Sequence, residues 1–528
     1  MRREFVWSVA IVLLVIALIA FFYRPILWSM ALIGPLIVLG FRDYTQTKHA
    51  VLRNFPVIGH FRYLLETIRP EIQQYFIEND TDGMPFGRDE RSLVYQRAKQ
   101  ERDTIPFGTL EDVYKVGYEW VNHSIVPIHV DVEDMRVTVG GPACKQPYSA
   151  SLLNISAMSF GSLSSNAVIA LNQGAQMGGF AHNTGEGGLS SYHLSGGDVI
   201  WQIGTGYFGC RTKDGHFNPE TFAERAAHPN VKMIELKLSQ GAKPGHGGIL
   251  PAAKLTPEIA QIRDVPLGQD VLSPPGHSAF STPMGLLEFI QRLRELSGGK
   301  PVGFKLCMGK RREFLAICKA MVETGIRPDY IAVDGGEGGT GAAPLEFSNH
   351  VGSPLIESLI FVHNALIGSG VRDEIRLMAG GKITSGFGMV KRLALGADLC
   401  YSARGMMLSL GCIQALRCNS NHCPVGVATQ DPNLMAGLVP SEKKVRVYNF
   451  HRQTLKSVTE LLGAMGTHHP HELRPWHIMR RISPTEVRHY GEIFEYLEPG
   501  ALLAEPLPRS YERAWRSASA ETFGSQIA

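Results

Sequence analysis

Between Leu153 and Tyr401 short apolar runs recur eight times, each ending in glycine or polar residues and alternating with helical stretches. The runs are Leu153–Ala157, Phe180–Asn183, Val199–Ile203, Met233–Leu238, Val302–Leu306, Tyr330–Val333, Ile375–Ala379 and Asp398–Tyr401. Strands alternating with helices build a parallel sheet, because parallel neighbours need a long crossover between them. Eight β-α steps over roughly 250 residues is the size of a (β/α)8 TIM barrel. A doubly wound open sheet is the alternative that strand counting leaves open. In a barrel, the polar and glycine residues at the C-terminal ends of the strands stand where the active site belongs.

This pattern leaves much of the 528-residue chain unused. Phe5 to Phe22 is an 18-residue run whose only polar member is Ser8. As a helix it would extend roughly 27 Å, close to the thickness of a bilayer core. Ile26 to Phe41 is a second apolar run, interrupted by Gly34 and Pro35, with Tyr23, Arg24 and Pro25 as the turn between the two. Arg2 and Arg3 precede the first run, and Arg42, Lys48 and Arg53 follow the second. Positive charge at both ends predicts a transmembrane hairpin over 1–42 with both ends cytoplasmic. A cleaved signal peptide fits less well, since no A-x-A site follows and a second apolar run comes at once. Residues 43–150 read as a small helical and β-hairpin region. Within it, Ile58, Phe61, Leu64, Leu65, Ile68 and Ile72 recur at helical spacing and predict a packing helix over Asn54–Tyr75. Ile125–Val139 alternates loosely and predicts a hairpin. A net charge of only +3 gives no basic field for nucleic acid.

The sharpest chemical signal is Cys412-Ile-Gln-Ala-Leu-Arg-Cys418-Asn-Ser-Asn-His-Cys423-Pro424. Three thiolates suit an iron–sulfur cluster with three irons. Zinc is the alternative, but it wants a fourth ligand, and His422 is too close to Cys423 in sequence to chelate easily. The other five cysteines are scattered and read as reduced thiols. Gly380-Gly381-Lys382 follows the seventh run and Ala403-Arg404-Gly405 the eighth. In many barrels these two loops hold a phosphate, so a phosphorylated cofactor is expected there. Asp334-Gly-Gly-Glu337-Gly-Gly-Thr340-Gly341, after the sixth run, leaves few side chains to keep a ligand away. Lys237 and Lys305 lie inside apolar strands, where a lysine is rarely buried without an anionic partner. Gly204-Thr-Gly206-Tyr-Phe-Gly209 matches a dinucleotide fingerprint in letters only, since a turn rather than a helix is expected after it. His468-His469-Pro470-His471 reads as a solvated loop.

These motifs together resemble the synthase domain of glutamate synthase large subunits. The resemblance rests on Ile155-Ser-Ala-Met-Ser159, Asn183-Thr-Gly-Glu-Gly-Gly188, Lys237-Leu-Ser-Gln-Gly-Ala-Lys-Pro-Gly245, Ser273-Pro-Pro-Gly-His277, Gly338-Gly-Thr-Gly341 and the cysteine run. It extends from about Leu152 to Leu473, with the motifs in the family's order. It implies a (β/α)8 barrel, FMN, and a [3Fe–4S] cluster on Cys412, Cys418 and Cys423. The implied cofactor residues are Met158, Ser159, Asn183, Lys305, Asp334, Gly339, Thr340, Gly341, Gly380, Gly381, Lys382, Ala403, Arg404 and Gly405. Lys305, Glu235 and Glu186 are the implied catalytic groups; Lys305 is expected near the flavin N1/O2 edge. Lys237, Gln240 and Lys243 are expected to hold the substrate carboxylates. Two departures are visible. Met1 leads into a membrane helix, so the family's glutaminase domain is expected to be absent, as in stand-alone, membrane-anchored FMN-binding members. His246 stands where the family loop usually has glutamate.

The resemblance implies a flavin-dependent oxidoreductase that reduces 2-iminoglutarate, formed from 2-oxoglutarate and ammonia, to glutamate. Electrons would enter from a donor protein, either a ferredoxin or an NAD(P)H-dependent reductase subunit, through the cluster. Alternatives are a methylglutamate synthase-like subunit using another amine, and a membrane-attached electron-transfer protein. The expected partition is an anchor over 1–42, the helical and hairpin region over 43–150, the barrel with its iron–sulfur loop over 151–480, and a C-terminal extension over 481–528. The expected location is the cell inner membrane, with the catalytic domain cytoplasmic.

Overall fold

The computed structural model describes residues 2–101 and 104–525. They form two compact units, residues 1–88 and 89–528. The larger unit is built on a closed barrel of eight parallel strands. These are β1 (Leu153–Ile155), β2 (His182–Asn183), β3 (Val199–Ile203), β4 (Val231–Lys237), β5 (Val302–Cys307), β6 (Tyr330–Asp334), β7 (Arg376–Gly380) and β8 (Leu399–Ser402). All eight apolar runs become barrel strands, with bounds shifted by only a few residues. They do so because strands covered on both faces need continuous apolar sequence, and β3 and β5 are buried along their whole length. β8 pairs with β1, Cys400 opposite Leu153, and this closure excludes the open sheet.

Most crossovers are helices with legible caps. Ser164 accepts from the Ala167 N–H to start Ser165–Gly178, and Thr282 accepts from the Gly285 N–H to start Pro283–Leu296. The second step departs from the expected alternation: β2 reaches β3 through a 3-10 turn, Ser191–Leu194, and no α-helix. Between β4 and its helix the chain makes a long excursion, which carries a two-stranded ribbon (Ile249–Leu250 with Val271–Leu272) and the helix Pro257–Arg263. After the barrel, the helix Pro440–Met465 packs along Ser165–Gly178. The C-terminal helix Arg509–Ser517 docks on the outside, with Tyr511 stacked on Phe361 and the Lys319 ammonium over the Trp515 ring.

The expected hairpin is displaced. Arg136–Val139 pairs antiparallel with Tyr148–Ser151. Residues 125–131 form no strand. Gly140-Gly141-Pro142 supplies the turn chemistry that the looser alternation upstream lacks.

His451, on the long helix, is buried against the barrel. Its Nε2 lies 2.9 Å from Ser151 Oγ and 3.1 Å from the Leu153 carbonyl, and its ring stacks on Phe180 at 3.8 Å. Burial pushes its pKa down to about 3. The folded state therefore holds it neutral while the unfolded chain takes up a proton near pH 6.5. Its contribution is fully present above that pH and is lost as pH falls towards 3. At pH 5 the loss is about 2 kcal/mol. Urea melts at pH 7 and pH 5 should show His451→Gln losing less stability over that interval than the parent chain. Identical losses would remove His451 from the acid response.

In the smaller unit the first apolar run is the helix Arg2–Phe22. The second is a 3-10 turn, Arg24–Ser29, running into the helix Met30–Thr45. Both segments are long and apolar enough to cross a membrane. Phe5 meets Phe41 edge-on at 5.6 Å, and Arg2 donates to the Tyr44 carbonyl, so the outer ends of the two segments lie side by side. The expected packing helix is divided into Ala50–Asn54 and Gly59–Ile72, the latter extended by a π-helical turn, Gln73–Ile77. Its apolar stripe is not packed: Ile58, Phe61, Leu64, Leu65, Ile68 and Ile72 are all exposed.

Candidate active site

The barrel mouth is organised around charges that the strands carry inward. Glu235, on β4, is completely buried. Its Oε1 accepts from Asn183 Nδ2 at 2.8 Å and Gln202 Nε2 at 2.7 Å, and its Oε2 accepts from Tyr401 Oη at 3.0 Å. Burial raises its pKa, opposed by the charge of Lys305 and by these donors. Lys305, on β5, lies 3.5 Å from Asp334 at the end of β6. Burial alone would lower the Lys305 pKa, but Asp334 and Glu235 overcome it, and the net shift is upward.

A second tier lies above. Lys237 ends β4 and pairs with Glu186 at 2.7 Å. Burial works against the Glu186 carboxylate, yet Lys237, Arg263 and Lys243 hold its pKa down. Lys237 is lowered by burial and by its neighbour Lys305, against the pull of Glu186. Lys243 is lowered to about 8, first by burial and then by Lys237. The buried Glu235 and the part-exposed Glu186 thus have their pKa values pushed apart, Glu235 up and Glu186 down. His277 Nε2 donates to the Lys237 carbonyl at 2.8 Å, and its Nδ1 faces Tyr207 Oη at 3.0 Å.

Loops close over these tiers. The Lys243 ammonium donates to the Ala342 carbonyl at 2.7 Å, and the Gly241 N–H reaches Asp334 Oδ2 at 3.3 Å. A Cβ on Gly241 would sit 1.8 Å from the Gly335 carbonyl oxygen, so only glycine lets the loops after β4 and β6 interlock. Gln240 and His246 line a small cleft with Glu186, Lys237 and Pro274. The His246 ring meets Phe347 edge-on at 5.2 Å.

The two glycine loops stand at the ends of β7 and β8. Arg404 donates to the Glu337 carbonyl at 2.7 Å. Burial and then the charge of Arg404 lower the Lys382 pKa. Gly185 has φ +64°, and a Cβ there would meet the Ser159 amide nitrogen at 2.7 Å, so the loops after β1 and β2 are also in close contact. Met158 is buried, whereas the Ser159 hydroxyl turns to Ser162 at 2.9 Å. Gly339, Thr340 and Gly341 form an exposed stretch of the rim. Ala403 precedes the helix Arg404–Leu410, which has Gly405 buried in its first turn.

That helix leads directly to the cysteine loop. Among the described residues no three His, Cys, Asp or Glu side chains meet as a group that could hold a metal ion. Burial raises the Cys412 and Cys418 pKa values, and the neighbouring Cys423 raises both further. Gln414, Leu416 and Asn421 all have positive φ. For Gln414 and Leu416 this costs of order 1 kcal/mol or more each. Lys254, from the long excursion, is buried beneath the loop and donates to the carbonyls of Ser162 at 2.7 Å, Ala428 at 3.1 Å and Cys418 at 3.2 Å. The Cys412 carbonyl accepts from Tyr95 Oη at 2.6 Å.

Lys305, Lys237, Glu235, Glu186, Asn183 and Asp334 therefore converge, Lys243 and Gln240 lie in the covering loop, and the glycine loops and cysteines follow β7 and β8. Gln202, Tyr401, Arg263, His277 and Lys254 were not anticipated. Gln202 carries the signal that marked the two lysines, a single polar residue inside an apolar strand. Gly204–Gly209 turns back through Tyr207, at φ 48°, and the next helix starts only at Pro219, so the rejection of a dinucleotide site stands on the missing helix.

A closed parallel barrel with buried charges gathered at the C-terminal ends of its strands has the architecture of a (β/α)8-barrel enzyme. Residues 127–468 match the family model described as the conserved region in glutamate synthase. The chain belongs to the glutamate synthase family, and it is an oxidoreductase of the glutamate synthase type. A glutamate synthase large subunit-like protein of Bacillus subtilis is 38% identical over 511 residues, covering 89% of this chain and 96% of that one. An archaeal glutamate synthase [NADPH] of Methanocaldococcus jannaschii is 35% identical over 322 residues, and the match spans 61% of this chain and only 60% of the relative. Among solved structures, a mandelate oxidase complexed with 2-hydroxy-phenylacetamide covers 78% of this chain and 95% of its own, at 14% identity and a TM-score of 0.40.

Proposed function

We propose that this protein reduces 2-iminoglutarate, formed from 2-oxoglutarate and ammonia, to glutamate, using FMN in the barrel mouth and a [3Fe–4S] cluster on Cys412, Cys418 and Cys423. The observation that carries the reading is the pair of tiers: a cationic tier at Lys237, Lys243 and Arg263 above a charged floor at Lys305, Asp334 and Glu235. A dicarboxylate needs the first, and a group that gains negative charge on reduction needs the second.

The residues fit both cofactors. Glycines at the ends of β7 and β8, flanked by Lys382 and Arg404, suit a phosphate. The strained cysteine loop, with the Lys254 ammonium beneath it, suits an anionic cluster of thiolates. FMN, when bound, would supply the hydride. In the overall balance 2-oxoglutarate and ammonia lose water to form the imine, then two electrons and two protons yield glutamate.

Lys237, Gln240 and Lys243 hold the two carboxylates. Lys305 would support the negative charge that FMN, when bound, gains on reduction. Glu235, buried within that floor, acts through Lys305 and Asn183 by fixing their charge and orientation. Glu186, kept anionic at the mouth, handles the proton. Asn183, Asp334, Met158 and Ser159 shape the cofactor cradle, with Gly339, Thr340 and Gly341 at its rim and Gly380, Gly381, Lys382, Ala403, Arg404 and Gly405 at its phosphate end. Ferredoxin or an NAD(P)H-dependent reductase subunit delivers electrons to the cluster.

The test is direct. Protein purified without oxygen and photoreduced should regain oxidised flavin absorbance when 2-oxoglutarate and ammonium are added together, and not with either alone. No reoxidation, but formation of N-methylglutamate with release of ammonia from methylamine and glutamate, would favour the methylglutamate synthase-like alternative. No response to any amine would leave an electron-transfer role.

Residues 2–45 anchor the chain in the inner membrane, with the catalytic unit on the cytoplasmic side. The arginines flanking both spans support this orientation. A chain starting at Asp89, the boundary between the two compact units, should sediment as a soluble protein with full flavin content, whereas the whole chain should need detergent. Loss of flavin from the shortened chain would make the first unit part of the cofactor site.

A further inference from the structure

The helix that follows the two apolar spans has a pattern that the catalytic reading does not use. From Ile58 the apolar side chains fall at Phe61, Leu65, Ile68, Ile72 and Phe76, with Leu64 beside them, which is one continuous stripe at helical spacing. Phe61 is 62% exposed, Leu64 54% and Phe76 84%. A stripe of this length left to water would cost about 25 cal/mol for each Å² of apolar surface, and an uncovered patch of this kind marks an interaction surface.

What covers it follows from how the helix begins. Asp43 is buried near the end of the second span. It accepts from the Val57 N–H at 3.0 Å and lies 2.9 Å from His60 Nε2. On the same end of the hairpin, Arg2 reaches the Tyr44 carbonyl, and its guanidinium lies 4.2 Å from the Tyr44 ring centroid. Arginines and a tyrosine at the end of a span are headgroup-level anchors. The first turn of the next helix is therefore clamped to the level where bilayer meets water.

The charges argue in the same direction. Over residues 59–77 Arg62 and Arg69 are balanced by Glu66 and Glu71, and Arg62 pairs with Glu66 at 3.1 Å. A surface with no net charge and a long apolar stripe is held by burial rather than by attraction to anions.

We propose that Gly59–Ile77 lies along the cytoplasmic surface of the same bilayer, its apolar stripe sunk among the acyl chains just below the headgroups. The site would take a lipid surface, neutral lipid included. This rests on the anchor reading of residues 2–45.

The full chain, reconstituted into nanodiscs of phosphatidylcholine carrying diazirine groups on the acyl chains, provides the test. Irradiation followed by peptide mass spectrometry should place adducts on the spans and on Phe61, Leu65, Ile68 or Ile72, and high salt should not reduce them. The double substitution Phe61→Glu and Leu65→Glu changes only exposed side chains. It should abolish adducts on the helix and leave those on the spans intact. Adducts on the spans with none on 59–77 would overturn the proposal while sparing the anchor. Cross-links between the helices of two copies, in place of lipid adducts, would overturn it in favour of self-association. Absence of adducts from both segments would defeat the anchor reading and this proposal together.

Discussion

Lys305→Ala is expected to lose on the order of 10²–10³ in turnover, the usual cost of removing one preorganised electrostatic contact at a reacting centre. Lys305 is buried on β5 between Asp334 and Glu235, with its charge stabilised by both. Alanine would leave Asp334 and Glu235 without the cation whose charge they stabilise. The barrel should survive, because β5 keeps its pairing with β4 and β6 on either side. The decisive measurement is single-turnover reoxidation of reduced protein by 2-oxoglutarate and ammonium, compared at equal flavin content. Lys305→Arg should recover only part of the rate, since the planar fork cannot occupy the space of an ammonium. Turnover equal to the parent chain would remove Lys305 from the reaction.

Cys418→Ser should abolish iron–sulfur absorbance and take iron from about three per chain to near zero, the outcome expected when one of three thiolate ligands is lost. Cys210→Ser should leave both unchanged. The contrast lies in their surroundings. Cys210 is a wholly buried thiol outside the 412–423 loop. Cys418 lies in the loop with unfavourable backbone angles at Gln414 and Leu416. Equal loss of iron from both variants would mean that the cysteines serve folding. One zinc per chain with no acid-labile sulfide would sink the cluster altogether.

The barrel was legible because each strand, covered on both faces, had to be written in unbroken apolar sequence. The two strand lysines were legible for the complementary reason: a charge inside such a run needs a partner across the barrel. Gln202 carried the same signal, and its meaning emerged only when β3 brought it to Glu235. Lys254 and Arg263 had no such signal. They lie in the excursion after β4, where polar residues are ordinary, and only the fold brings them under the cysteine loop and beside Glu186. The stripe from Ile58 to Ile72 shows a different limit. Periodicity states that a helix has an apolar face but is silent on what that face meets, so a helix read as packed proved to be bare. The second β-α step failed for a local reason, since residues between Asn183 and Val199 are glycine- and serine-rich and settle for one 3-10 turn.

The helix Arg404–Leu410 joins the C-terminal end of β8 to Cys412 with only Gly411 between. Seven residues at 1.5 Å each make a strut of roughly 10 Å. Whatever is bound at its start and whatever is bound at its end are thus kept at a fixed separation by a single rigid piece of backbone. On the proposed reading, no domain need swing to bring the flavin and the cluster within reach, and transfer between them should be indifferent to solvent viscosity.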